Sequence, residues 1–241
     1  MNFTADKFLG GKVIVRQPAD GFRSGLDAVM LAASIPARAG QDVLELGSGA
    51  GVASLCLARR TDCSVLGIEI DPVLAALAGE NAAENELQDS ARFVTGDVFD
   101  MPAELRRAFD HVMLNPPFHT SEGEMPPDPA RARSLHDSGM LEAWLAAGMK
   151  RVVSNGTLTA ILRADRLGEA LAALGERGVS VFPLWPRKQE PAKRVLVRAI
   201  KASRAPFAIL PGMVLHEDGN RFSRAANSIL RDGAELNFDG K

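Results

Sequence analysis

The sequence predicts an α/β protein built on an open, mostly parallel sheet of seven strands, and three observations carry that expectation. Between about residues 41 and 200, short runs rich in β-formers alternate with helix-length amphipathic segments, the pattern left by strands covered on both faces. Three closely spaced glycines, Gly47, Gly49 and Gly51, follow the first run and precede a helical segment, so the chain turns sharply there. The last two runs are joined through Pro183, Pro186 and Pro191. That linker is too short and too proline-rich for a crossover helix, which makes the pair antiparallel.

In chain order, the predicted strands are Val43 to Gly47, Ser64 to Ile70, Arg92 to Gly96, His111 to Asn115, Thr157 to Arg163, Val179 to Leu184 and Arg194 to Ile200. Helices fall between most of them. Residues 1–40 precede this core with a short strand at Lys12 to Arg16, the loop QPADGFRSGLD and a helix from about Leu26 to Ser34. Residues 41–204 form the core. Residues 205–241 follow as a small extension, with a hairpin turn at His216 to Asn220 and a short helix around Arg224 to Leu230. The three parts are expected to make one compact unit, with the N-terminal part covering a ligand site. A proline-bearing stretch from His119 to Arg133 is long for a loop inside a domain, and loops of that length commonly serve function.

Composition narrows the class. With 46% hydrophobic and 24% charged residues, the 241-residue chain can bury a full core. No apolar run approaches the roughly 18 residues that cross a bilayer, and the N-terminus lacks a signal-peptide layout, so a cytoplasmic protein is expected. Cys56 and Cys63 have no second pair with which to complete a zinc site and read as buried thiols; no metal is expected. A net charge of −2 excludes a generally basic coat. The one basic stretch, residues 187–204, carries Arg187, Lys188, Lys193, Arg194, Arg198, Lys201 and Arg204 against Glu190 alone. It reads equally as a phosphate track or as a solvated hairpin.

Chemistry concentrates at the predicted carboxyl ends of the strands, where ligands bind in open α/β sheets. Glu45-Leu46-Gly47-Ser48-Gly49-Ala50-Gly51 has the spacing GxGxG, whereas a dinucleotide fingerprint sets its third glycine one residue later. Glu69 ends the second strand, where a carboxylate can accept bonds from both hydroxyls of a ribose. Asp97 ends the third, where it can also cap the next short helix.

Asn115-Pro116-Pro117-Phe118 ends the fourth. An amino group conjugated to a ring or carbonyl is a poor nucleophile because its lone pair is delocalised. Two acceptors holding its N–H bonds, the Asn115 side-chain oxygen and the Pro116 carbonyl, localise that pair. Prolines keep the carbonyl rigid beforehand, and Phe118 offers a stacking face. His119 and His136 are left out, since a methylated ammonium sheds its proton unaided.

These residues resemble the class I, Rossmann-like methyltransferases: six parallel strands with an antiparallel seventh, a GxGxG loop and the (Asn/Asp/Ser)-Pro-Pro-aromatic signature of amino-methyltransferases. The resemblance implies S-adenosyl-L-methionine as cofactor, with Glu45, Gly47, Gly49, Gly51, Glu69 and Asp97 around it. The segment Gln17-Pro18-x-Asp20-Gly21-Phe22-Arg23-x-Gly25-x-Asp27-Ala28, with weaker matches at Arg131 to Asp137 and Lys193 to Arg198, is similar to the tRNA (adenine amino-group) methyltransferases acting beside the anticodon. It implies an RNA substrate, with Arg23 and Asp27 helping to form the site; both residues also read as a capped helix start with a salt bridge. Phe118 departs from that branch, where tyrosine is common. An rRNA guanine methyltransferase and a protein glutamine methyltransferase share the chemistry. The second normally carries a helical recognition domain that 40 leading residues leave little room for. A dehydrogenase or a non-catalytic nucleoside-binding protein explains neither the glycine spacing nor the tetrapeptide.

Overall fold

The computed structural model describes residues 2–20, 23–117, 139–217, 219 and 221–238. The chain opens with a two-stranded antiparallel ribbon, β1 (Phe3–Phe8) and β2 (Val13–Pro18), joined by a tight turn over Leu9–Gly11. Only β2 was expected. β1 is mostly exposed along its length, so it lacks the apolar alternation that marks a half-buried strand.

The edge of β2 away from β1 is closed without a strand. Helix α1 (Leu26–Ser34) is followed by β3 (Asp42–Leu46), α2 (Val52–Arg60), β4 (Ser64–Glu69) and α3 (Pro72–Glu84). From α3, Asn85 accepts the Ile14 N–H at 2.9 Å and donates to the Ile14 carbonyl at 2.6 Å. Asn81 does the same for Arg16, at 2.9 and 3.0 Å. Two asparagines four residues apart lie on one helical face, so their amides pair with alternate β2 residues as a neighbouring strand would. This protects an edge that would otherwise present unpaired backbone groups.

The main sheet continues with β5 (Ala91–Thr95), β6 (Phe109–Leu114), helix α4 (Gly139–Arg151), β7 (Val152–Arg163), helix α5 (Leu167–Leu174), β8 (Val179–Trp185) and β9 (Arg194–Ile200). Its core order is β5-β4-β3-β6-β7-β9-β8. All neighbours pair parallel except β9, which runs antiparallel to both β7 and β8. The expected hairpin is therefore present, with its second strand inserted between β7 and β8. Two short strands, β10 (Ala208–Ile209) and β11 (Met213–Val214), pair parallel with β8 and extend the sheet beyond the seven strands expected. Strand β7 starts five residues earlier than expected, at Val152. A register shift interrupts its pairing with β6, and the intervening Ser-Asn-Gly, with Asn155 at φ 63°, reads as a turn from sequence.

Alternate strand residues face two cores. Val43, Met113, Ile161 and Leu196 meet α1 and α2. Leu46, Leu114, Leu158 and Val197 meet α4 and α5. The C-terminal segment returns through α6 (Arg224–Asn227) and a wide turn over Ser228–Asp232 to α1, where the Leu236 N–H donates to the Ala33 carbonyl at 2.8 Å. Both cysteines are free and buried. No helix among the described residues is long and apolar enough to cross a membrane.

Candidate active site

The glycine loop leaves β3 and folds back over β4. Gly47, Gly49 and Gly51 have φ of 70°, 53° and 88°, a region that L side chains disfavour. The N–H groups of Gly47 and Ser48 both donate to the Ile68 carbonyl, at 2.9 and 3.1 Å. The glycines differ in what surrounds them. A Cβ on Gly51 would lie 2.8 Å from the Phe93 ring, whereas one on Gly49 would meet nothing within 4 Å. Packing accounts for Gly51; at Gly49 the loop leaves open space.

Glu69 ends β4 at 9% exposure. Its Oε2 accepts the Gly49 N–H at 2.8 Å and its Oε1 the Asp71 N–H at 3.0 Å. Each carboxylate oxygen keeps a second lone pair, so the group can brace the loop and still accept bonds from a ligand. Glu45 is placed differently. It is 3% exposed, and its Oε2 accepts the Ser54 N–H at 3.1 Å as well as the Ser54 hydroxyl, tying β3 to the first turn of α2. Burial pushes its carboxyl up to about 8, with the nearby charge of Glu69 acting in the same direction and Ser54 opposing both. Asp97 accepts the Phe99 N–H at 2.8 Å in a local turn; it caps no helix, the next helical turn being Ala103–Leu105 with Pro102 at its cap.

Leu114 pairs with Leu46, so Asn115 and Gly47 leave adjacent strands side by side. Asn115 Oδ1 is buried without a hydrogen-bond partner, Pro116 is buried and Pro117 exposed. Phe118, His119, His136 and the segment Arg131 to Asp137 lie outside the described residues. Two more buried polar atoms without partners are Ser48 Oγ and Trp144 Nε1. Trp144, on α4, packs its ring against Gly47, where a Cβ would approach it to 3.0 Å. Three of the six such atoms found among the described residues thus surround one strand junction. Buried polar groups are normally paired, so this clustering marks a place built to meet something polar. Sequence reading passed over Trp144; a lone tryptophan in its helix was its only signal.

Other expected residues engage elsewhere. Arg23 pairs with Asp6 of β1 at 2.6 Å, and Asp27, in the first turn of α1, with Arg194 of β9 at 2.7 Å. Among the described residues no hydrogen bond joins either to the glycine loop. Four of the seven cations in 187–204 are held within the fold. Arg187 pairs with Glu190 at 3.7 Å and Arg194 with Asp27. Buried Arg198 donates to the Ser34 carbonyl and lies 3.9 Å over the Phe238 ring. Lys201 donates to the Val152 carbonyl at 2.6 Å.

Comparison with known proteins bears on what this edge does. Residues 24–162 match the family model described as the methyltransferase small domain. A tRNA1(Val) (adenine(37)-N6)-methyltransferase from Porphyromonas gingivalis is 33% identical over 64% of the chain, which spans 63% of that relative's length. The protein of the same name from Aeromonas hydrophila is 29% identical over 72% of the chain and 75% of its own. Among solved structures, a predicted O-methyltransferase from Agrobacterium tumefaciens superimposes with a TM-score of 0.73 at 26% identity, covering 87% of this chain and 98% of its own. A 16S rRNA N2 G1207 methyltransferase from T. thermophilus, solved with AdoMet and guanosine, superimposes at 0.57 with 19% identity, over 83% of this chain and 50% of its own. The sheet is thus the class I Rossmann-like methyltransferase sheet.

Proposed function

Because the chain belongs to the methyltransferase small domain family, we propose that it transfers a methyl group from S-adenosyl-L-methionine to the exocyclic amino nitrogen of an adenine in tRNA. The observation that carries the reaction type is the buried, unpartnered Oδ1 of Asn115 beside Gly47. An acceptor held unpaired in the absence of substrate costs stability. Its geometry matches what a delocalised amino nitrogen requires, a fixed acceptor for one N–H.

Cofactor and loop fit each other. Gly49 leaves room where a side chain would intrude, Glu69 retains free lone pairs for ribose hydroxyls, and Ser48 and Trp144 offer unpaired polar atoms nearby. When bound, S-adenosyl-L-methionine supplies an electrophilic methyl on a sulfonium. The chain's own residues act on the acceptor. Asn115 Oδ1 and the Pro116 carbonyl hold the two amino hydrogens, turning the nitrogen lone pair toward the glycine loop. The prolines fix that carbonyl before substrate arrives. Phe118 gives the base a stacking face. No group on the chain needs to take the leaving proton, which water accepts from the methylated ammonium.

The adenine assignment draws on the names of the sequence relatives. A guanine amino group in rRNA, the group that the T. thermophilus enzyme is named for methylating, presents the same two N–H bonds, and a protein glutamine amide is the remaining alternative. Residues 1–40 act as the part covering the cofactor and 205–241 as a brace behind α1, in a cytoplasmic enzyme. Radiolabelled transfer into total RNA from cells lacking this activity, followed by nucleoside analysis, should give N6-methyladenosine. Label on guanine selects the second reading, and label in protein alone overturns the RNA assignment.

A further inference from the structure

Four of the seven cations in the basic segment are held within the fold, and a second group of cations gathers elsewhere. Between the segment following β5 and the face of α4 lies a cleft of about 430 Å³ whose lining includes the apolar Phe99, Met101 and Ala147 and the cations Arg106, Lys150 and Arg151. None of the described residues that line it is acidic. Lys150 and Arg151 make no ion pair among the described residues. Arg106 is held by the Met101 carbonyl at 2.6 Å and pairs with Asp100 at 3.2 Å. Phe99 is 46% exposed and meets Trp144 edge-on, with centroids 5.6 Å apart. Through Trp144 the cleft adjoins Gly47 and the candidate active site. Because α4 runs back against the parallel strands, its last residue lies about 18 Å along its axis from its first.

We propose that this cleft binds the RNA strand flanking the target nucleotide, with phosphates on Lys150, Arg151 and Arg106 and a base against Phe99; the proposal rests on the RNA-methyltransferase reading. Its charge suits a polyanion. An exposed aromatic ring and apolar side chains beside cations further suit single-stranded nucleic acid, which offers a base face with every phosphate. The three cations come from two separate parts of the sequence, so no basic run announces them. Cations in a helix's last turn also complement its dipole, and that role alone predicts no effect on RNA.

The test measures binding of unmodified total tRNA to the full chain across a salt titration, for the wild type and for Lys150→Gln with Arg151→Gln. Losing two phosphate contacts should weaken binding at least tenfold at 0.1 M salt and reduce the slope of log affinity against log salt by about 1.4. S-adenosylmethionine affinity, measured calorimetrically, should stay unchanged and show that the variant is folded. A variant that binds S-adenosylmethionine normally and keeps the wild-type affinity and slope for tRNA overturns the cleft proposal alone. Wild-type protein that neither binds nor methylates RNA overturns the reading beneath it. Displacement of tRNA by poly-glutamate at equal charge concentration assigns the cleft to acidic polypeptides and also overturns the proposal.

Discussion

The side-chain amide of Asn81, on α3, donates to the carbonyl of Ala50 within the glycine loop at 3.0 Å. The same nitrogen donates to the Arg16 carbonyl at 3.0 Å, and Oδ1 accepts the Arg16 N–H at 2.9 Å. One fully buried side chain therefore joins the N-terminal ribbon, α3 and the glycine loop. Replacing Asn81 with Ala strands the buried Ala50 carbonyl and two part-buried backbone groups of Arg16, and a buried group left unpaired costs roughly 1–3 kcal/mol. Asn81→Ala should lose about 3 kcal/mol by urea unfolding and about tenfold in S-adenosylmethionine affinity. Asn85 braces Ile14 but does not reach the loop. Asn85→Ala should destabilise comparably and leave cofactor affinity within twofold. Equal affinity losses would show that Asn81 acts through general stability.

The raised carboxyl of Glu45 gives stability a specific pH dependence. Its value is about 8 in the folded chain against 4.5 for an unperturbed group, so between those limits the folded state binds more protons than the unfolded. Stability from this group is complete below about pH 4.5 and is lost as pH rises through 8. His111 has the opposite sign. Burial lowers it from 6.5 to about 4, so its contribution is lost as pH falls through that window. Glu45→Gln keeps an acceptor for Ser54 and abolishes the first titration. The variant should match the wild type near pH 5 and exceed it in melting temperature near pH 8.5. Parallel curves would refute the buried titration.

The positions of the core strands and of helix α1 were legible because central parallel strands are apolar throughout and α1 is an almost wholly apolar run bounded by Gly25 and Pro36. The glycine loop and Glu69 were legible because their backbone demands leave a mark on residue type. What escaped has physical reasons. β1 is exposed and carries no burial pattern. Asn81 and Asn85 sit in an alanine-rich helix where side-chain amides paired to backbone look like ordinary polar residues. Charge misled most. A run of cations in sequence says nothing about how many are neutralised by distant partners, and Asp27 lies 167 residues from Arg194. Lys150 and Arg151 meet Arg106 only once α4 packs on the sheet.

Two glycines separate packing from ligand space. Gly51→Ala combines a left-handed φ of 88° with a contact 2.8 Å from Phe93. Strain and overpacking together should cost about 2–5 kcal/mol. Gly49→Ala meets only its φ of 53°, with open space around it, and should cost about 1–2 kcal/mol. Cofactor affinity should nonetheless fall at least tenfold in Gly49→Ala, since the new methyl enters the space offered to ligand. Calorimetric titration beside urea unfolding checks both, and normal binding by Gly49→Ala would move the cofactor away from this loop.

Asn115 is where stability and activity should part company. Its Oδ1 is buried and unpaired, so truncation removes a desolvated acceptor at the cost of a small cavity, and the two effects nearly cancel. Asn115→Ala should therefore unfold within about 1 kcal/mol of the wild type. Turnover is another matter, because loss of one preorganised group facing developing charge typically lowers kcat by 10²–10³. S-adenosylmethionine affinity should stay within about tenfold, or 1.4 kcal/mol. Asn115→Asp keeps an acceptor oxygen and should retain more activity than the alanine variant. The discriminating pattern is a kcat loss at constant stability and constant cofactor binding. An alanine variant that turns over at the wild-type rate would remove Asn115 from the chemistry, whatever the fold around it.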